Sequence, residues 1–208
     1  ILNGWLRTPK KRLVTISLIA IAVLTSFWSW QKESRTAKIT ILPLSGGDAI
    51  FADFPGRTDD LLVDCGNENT AQSILQPFLR AQGVNSIANL LLTHGDLRHI
   101  GGTEIIKQNF AIKKLLTSSA SAKSPFYREI ISELKRKPDQ WQTLASGDQL
   151  GVWTILHPHD SDQFSQADDN AVVLRGNFYS KSILLLSDLG RPGQNALLER
   201  HPDLRADI

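Results

Sequence analysis

The segment Thr93-His94-Gly95-Asp96-Leu97-Arg98-His99-Ile100-Gly101-Gly102 constrains this chain more than any other. It follows Ser86–Thr93, where Ile87, Leu90, Leu91 and Leu92 make a short apolar run between turns. Such a run reads as a buried strand. The polar loop must therefore leave the end of a buried strand. Gly101-Gly102 then lets the backbone turn tightly and pack closely. Two imidazoles and one carboxylate fall within six residues. A loop of this kind can wrap its side chains around a cation, since His and Asp are good ligands for zinc or manganese. The same groups can also hydrogen-bond locally, and spacing alone leaves both readings open.

The rest of the chain supplies a frame for that loop. Lys38–Leu44 alternates like a strand, Ser45-Gly46-Gly47-Asp48 is a turn, and Ala49–Phe54 is a second strand. After Pro55–Asp59, the short apolar strand Asp60–Asp64 completes an antiparallel meander. Asn69 or Thr70 is placed to cap a helix whose face is Ile74, Leu75, Phe78 and Leu79, closed by Gly83. Thr103 caps a short helix through Gln108, and Lys113–Thr117 is a strand. Pro125 opens a helix with Phe126, Ile130, Ile131 and Leu134 inward. Trp141–Leu144, Gln149–His157, Ala171–Arg175 and Ser182–Ser187 are strands, the last two turned through Gly176-Asn177. Asn195–Arg200 is a helix. Two sheets flanked by helices accommodate this order.

Leu13–Trp30 is uncharged and would span about 27 Å as a helix, close to a hydrocarbon core of about 30 Å. Trp28 and Trp30 stand at one end; Arg7, Lys10, Lys11 and Arg12 crowd the other, while Lys32 and Arg35 follow more sparsely beside Glu33. The expectation is a transmembrane helix at 13–30, a cytoplasmic loop end at 1–12, a linker at 31–37 and an extracytoplasmic domain at 38–208. The chain has no Met and begins at Ile1. It reads as a piece of a longer protein, with a membrane region upstream and a further strand starting near Asp203–Ile208. About 180 residues remain after the apolar stretch, enough for one domain with a core. The net charge of +2 argues neither for nor against nucleic acid. A single Cys65 excludes an internal disulfide and says nothing of the compartment.

A series of motifs in order resembles the metallo-β-lactamase superfamily, and most closely its ComEC branch of DNA-uptake proteins. That branch carries H-x-D-x-D-H-I-G-G after a buried strand; here stand His94, Asp96, Arg98, His99 and Ile100-Gly101-Gly102. Upstream, Gly46-Gly47-Asp48 and Leu62-Val63-Asp64-Cys65-Gly66 match in sequence order. Downstream, Leu156-His157-Pro158, Asp168-Asp169-Asn170-Ala171-Val172-Val173-Leu174 and Leu186-Ser187-Asp188 do the same. The resemblance covers about residues 39–200. It implies an α/β fold, an αββα sandwich of two mixed sheets flanked by helices. It also implies His94, Asp96, His99 and Asp188 as metal ligands, Asp96 and Asp188 as catalytic carboxylates, and Asp48, Asp64 and Asn170 as residues supporting them. One or two zinc or manganese ions would activate a water and clamp a phosphate oxygen.

Arg98 departs from the family, which has Asp there to bind a second metal. A guanidinium is permanently charged and cannot ligate. It could pair with Asp96 or Asp188, or contact a phosphate. Ala171 replaces the usual Ser, and the family's late His motif falls beyond Ile208. The first expected function is a metal-dependent nuclease that degrades the non-imported DNA strand, in the bacterial inner membrane beside an upstream channel region of the same protein. The second is an eroded fold that binds or guides DNA on that channel. The third is a hydrolase of another phosphoester. Other polar residues read blandly: His157-Pro158-His159-Asp160 as a solvated loop, Cys65 as a packed small residue, His201 as surface. Arg128, Lys135, Arg136 and Lys137 read as a solvated helix face, with no aromatic interleaving in sequence to suggest a strand-binding groove.

Overall fold

The computed structural model describes residues 9–33, 36–45, 47–120, 124–178 and 180–208. Arg7, Arg35 and Gly46 lie outside these, as do the side chains of Lys11, Trp30, Lys32 and Glu33.

An N-terminal helix, α1 (Pro9–Glu33), begins within the expected loop and runs into the expected linker. Its Leu13, Ile16, Leu18, Ile19, Val23, Leu24 and Phe27 are exposed. Among the described residues, no helix is long and apolar enough to cross a membrane.

Strands β1 (Lys38–Leu44), β2 (Gly47–Asp53) and β3 (Leu61–Val63) form the antiparallel meander. Pro43 is tolerated because β1 is an edge strand, where a missing N–H breaks no inner ladder. From β3 the sheet turns parallel through β4 (Ser86–Leu92), β5 (Ala111–Ser118) and β6 (Trp141–Leu144). This makes a mixed six-stranded sheet in sequence order. A second sheet has the order β10 (Lys181–Leu185), β9 (Val173–Phe178), β8 (Trp153–His157), β7 (Gln149–Leu150). Its pairings are all antiparallel, so only one of the two sheets is mixed.

The period of two along each strand sorts the core into layers. Leu90 and Leu92 face the helices, joined by Leu75, Leu79, Ile106, Tyr127, Ile130 and Leu134. Leu91 faces the other way, into the inter-sheet layer with Leu61, Leu116, Trp153, Ile155 and Leu174. Leu156, Val173 and Leu197 close the outer face of the second sheet. The helices of the first layer are α2 (residues 68–81), α3 (Leu97–Ile100), α4 (Thr103–Asn109) and α5 (Pro125–Leu134). Helix α6 (Arg191–Arg200) covers the far side. The expected αββα sandwich is the architecture found.

Two local readings change. The cap of α2 is Asn67, whose side chain accepts from Thr70 N–H at 3.0 Å, rather than Asn69 or Thr70. Gly66, at φ +68°, swings the chain so that Asn67 is the extended residue before the helix. Gly176 is no turn residue but pairs with Trp153 inside the sheet. A Cβ there would stand 2.6 Å from the indole, so the glycine clears room for it.

Gly102 shows how tightly the loop is set. A Cβ there would meet the Ala71 Cβ at 2.3 Å and the Cys65 carbonyl oxygen at 2.5 Å. Gly102→Ala is expected to destabilise the domain by about 1–3 kcal/mol, the usual cost of overpacking a close-packed interior. Urea denaturation checks this; an unchanged midpoint would mean the loop can move away.

Candidate metal centre

The site is assembled where strands end. Asp64 follows β3, Thr93 and His94 follow β4, Asp96 opens α3, and His99 lies within α3. Asp168 begins a short turn before β9, and Ser187-Asp188 follows β10. The Val172 N–H donates to the Thr93 carbonyl at 3.1 Å and seams the two sheets at this point. Gly47 lets α3 lie on β2, because a Cβ there would stand 1.9 Å from the Arg98 carbonyl oxygen.

Asp64 is buried and sits at φ +56°, a conformation uncommon outside glycine but tolerated by Asp. Its carboxylate accepts from the Thr93 N–H at 2.8 Å and from the Thr93 hydroxyl at 2.6 Å. His99 Nδ1 lies 3.2 Å from the same carboxylate. With its proton spent on Asp64, the Thr93 oxygen accepts from His94 Nδ1 at 2.9 Å. Ser187, at φ +51°, brings its hydroxyl within 3.1 Å of the Thr93 oxygen. This chain fixes both rings with Nδ1 as donor and leaves both Nε2 atoms facing the site.

Those two atoms converge on one carboxylate. His94 Nε2 is 3.2 Å from Asp188 Oδ1, and His99 Nε2 is 3.1 Å from Asp188 Oδ2. Asp168 Oδ1 is 3.5 Å from His94 Nε2. His94 is 2% exposed, and its Nε2 makes no hydrogen bond among the described residues. A buried ring nitrogen with a free lone pair, facing two carboxylates, is a donor set that a divalent ion fits. Burial alone would push the His99 imidazolium down, but Asp188 and Asp64 reverse this and lift it to about 10. Burial likewise opposes the Asp188 carboxylate, yet His99 and His94 hold it down at about 2.

Asp96 is differently engaged. Its Oδ1 accepts from the Arg98 N–H at 2.8 Å, which caps α3. Its Oδ2 takes the Arg98 guanidinium through Nε at 3.0 Å and Nη2 at 2.6 Å. The Arg98 hydrogen bonds hold the Asp96 carboxyl below its ordinary range. Asp96 still lies in reach of a shared ion with His94 and Asp168, while Asp64, His94 and His99 form a second such group. Arg98 is also 3.9 Å from Asp188.

The remaining expected residues scatter. Asp48 is exposed and shares a cavity of about 200 Å³ with Asp64, Thr93 and Ser187. Asn170 fastens its own loop, donating to the Gln166 carbonyl at 2.6 Å. Asp168 was passed over in sequence; its signal was its place at the head of Asp168-Asp169-Asn170. His157 is fully buried, so the expected solvated loop is corrected there. Its Nε2 lies 2.8 Å from the Asp169 carbonyl and props the turn that carries Asp168. Cys65 is buried, and desolvation pushes its thiol up to about 12.

A family model described as the metallo-beta-lactamase superfamily matches residues 43–175. ComE operon protein 3 of Bacillus subtilis is 23% identical over 95% of this chain and 28% of its own length. Competence protein ComA of Neisseria gonorrhoeae is 26% identical over 88% of this chain and 24% of its own length. The chain thus spans about a quarter of the curated relatives it matches. Among solved structures, a Cronobacter sakazakii metallo-beta-lactamase with a HARLDQ motif has a TM-score of 0.54 and 14% identity, covering 87% of this chain and 75% of that one. A subclass B3 metallo-beta-lactamase of Bradyrhizobium japonicum has a TM-score of 0.52 and 14% identity, covering 84% and 74%. At such identities these structures speak for the fold alone.

Proposed function

The chain belongs to the metallo-beta-lactamase superfamily as a ComEC-type domain, and on that premise we propose that it is a metal-dependent phosphodiesterase of a DNA-uptake protein. The observation that carries this is the convergence of His94 Nε2 and His99 Nε2 on Asp188, with each ring held from behind. His94, His99 and Asp188 would hold the ion, zinc or manganese, with Asp168 beside them. Such an ion, when bound, supplies Lewis acidity that makes water a usable nucleophile near neutral pH and screens a phosphoryl oxygen. Asp64 and Thr93 keep the rings oriented. Asp188, held ionised, supplies the negative charge that balances the ion. Arg98, 56% exposed at its side chain, faces solvent at the rim, where its free N–H groups can take a substrate phosphate.

The substrate on this reading is the DNA strand that is not imported. The globular domain, residues 38–208, would face the extracytoplasmic side of the bacterial inner membrane. Membrane attachment would come through an upstream channel region of the same protein and the apolar side chains that α1 leaves uncovered. A second reading, a DNA-binding or scaffolding module without catalysis, is favoured by one observation: Asp96 is already occupied by Arg98.

Elemental analysis of protein purified without chelator, followed by incubation with labelled single-stranded DNA, separates the two. About one divalent metal per chain, and cleavage that chelator stops, is the expected result. A folded sample that takes up neither zinc nor manganese would turn the assignment to the binding module.

A further inference from the structure

Beyond His94 the site opens into two basins that meet at Tyr127. The inner one, about 410 Å³, is walled by His94, Ser118, Ser124, Tyr127, Gln166 and Asn170. The outer one, about 470 Å³, is walled by Tyr127, Arg128, Ile131, Lys135, Trp141 and Thr143. Each is of a size that holds a small ligand. They share Ser118, Ala120 and Tyr127, and so form one trough leading away from the metal centre.

Tyr127, Arg128 and Lys135 carry the unspent polar groups of this trough among the described residues. Tyr127 is 2% exposed, and its hydroxyl makes no hydrogen bond among the described residues. Thr117 and the Ser118 backbone lie near it without reaching hydrogen-bonding geometry. Leaving a buried hydroxyl unpaired is costly. Desolvation pushes the phenol up to about 12, so it stays protonated, a donor in want of an acceptor. The Arg128 and Lys135 side chains form no ion pair among the described residues. Nearby Lys107, by contrast, is matched by Glu104 at 2.7 Å and Glu133 at 2.6 Å. Trp141 spends its N–H on the Thr117 hydroxyl at 3.0 Å, and its half-buried ring walls the outer basin. The aromatic interleaving missing from the sequence is therefore supplied by the fold: Tyr127 and Trp141, from α5 and β6, stand beside Arg128 and Lys135. Free cations beside an aromatic face suit a single strand, whose bases can leave the stack.

We propose that the trough binds single-stranded nucleic acid next to the reacting phosphodiester, one phosphate on the Tyr127 hydroxyl, the next on Arg128 and Lys135, and a base against Trp141. The proposal rests on the reading of His94 and its partners as a phosphodiester site. A duplex, with its bases kept in the stack, could use the cations but not Trp141.

The test is equilibrium binding of a fluorescein-labelled oligothymidylate to the full chain with chelator present, so that no turnover intervenes. The Arg128→Ala/Lys135→Ala variant should bind about tenfold more weakly and lower the slope of log K against log salt by ~0.7, the value for one phosphate contact on a single strand. Tyr127→Phe removes only the unpaired hydroxyl, so the fold should hold; binding should weaken several-fold with the salt slope unchanged. Arg136→Ala/Lys137→Ala removes the same charge from a separate cavity beside Lys107 and Glu133, and should leave affinity within about twofold. Equal losses from the two double variants, no loss from Tyr127→Phe in a folded sample, or tighter binding of a duplex would each overturn the proposal. Failure of the hydrolase reading would look different: no metal and no cleavage, with this pattern of binding losses intact.

Discussion

His99→Ala is expected to strip the domain of its metal and its hydrolysis together. Among the described residues, His99 is the ring that joins the two carboxylates, at 3.2 Å from Asp64 and 3.1 Å from Asp188. Removing it deletes a ligand nitrogen and unlinks Asp188 from the network that places it. Loss of a residue that merely supports a ligand lowers metal affinity by about 10- to 100-fold. Loss of the ligand itself should exceed that range, leaving substoichiometric metal after gel filtration and a rate reduced by about a thousandfold or more, ~4 kcal/mol of barrier. Asp64 keeps both Thr93 donors, so the buried carboxylate is not orphaned and the fold should survive. Circular dichroism would verify that. His157→Ala is the matched control, because that buried imidazole lies behind the site, 2.8 Å from the Asp169 carbonyl and 3.6 Å from Asp162. It should lower stability and leave metal stoichiometry unchanged. Full metal content with undiminished cleavage in folded His99→Ala would remove His99 from the ligand set.

How much of this centre could be read in advance followed from how locally each part is encoded. His94, Asp96 and His99 lie on one strand-end loop, and Asp64 closes the neighbouring strand, so a run of sequence carries them. The alternation of Leu90, Leu91 and Leu92 likewise announces a strand buried on both faces, which is why the layered fold was legible. Asp168 was not, because its position depends on residues 158–170 folding back over the strand ends, propped by His157. The bidentate lock of Arg98 on Asp96 needed side-chain geometry that spacing does not contain. Gly176 misled because a glycine that clears space for Trp153 and one that permits a turn look alike in sequence. Tyr127 and Trp141 are brought to one trough only by the pairing of β5 with β6 and the seating of α5 against them.

Arg98→Asp is expected to raise metal content from about one ion per chain to about two, and hydrolysis by about tenfold, ~1.4 kcal/mol. In the native chain the guanidinium holds Asp96 Oδ2 through two N–H groups and stands 3.9 Å from Asp188. A second cation there would meet a permanent positive charge, and the carboxylate it needs is taken. The substitution removes that charge, releases Asp96 Oδ2 and adds a ligand of the type zinc and manganese accept. If the domain is instead a binding module, the sign reverses: no metal is gained, and affinity for DNA falls as a phosphate contact is lost. Arg98→Ala divides the effect, since it frees Asp96 without adding a carboxylate. It should permit only a weak second ion, and equal behaviour of the two variants would reduce Arg98 to a rim cation. The comparison is clean because the cap on α3 uses the backbone N–H of residue 98 and not its side chain. Both variants keep that bond, so a change in metal content would report charge at the site and not a lost helix.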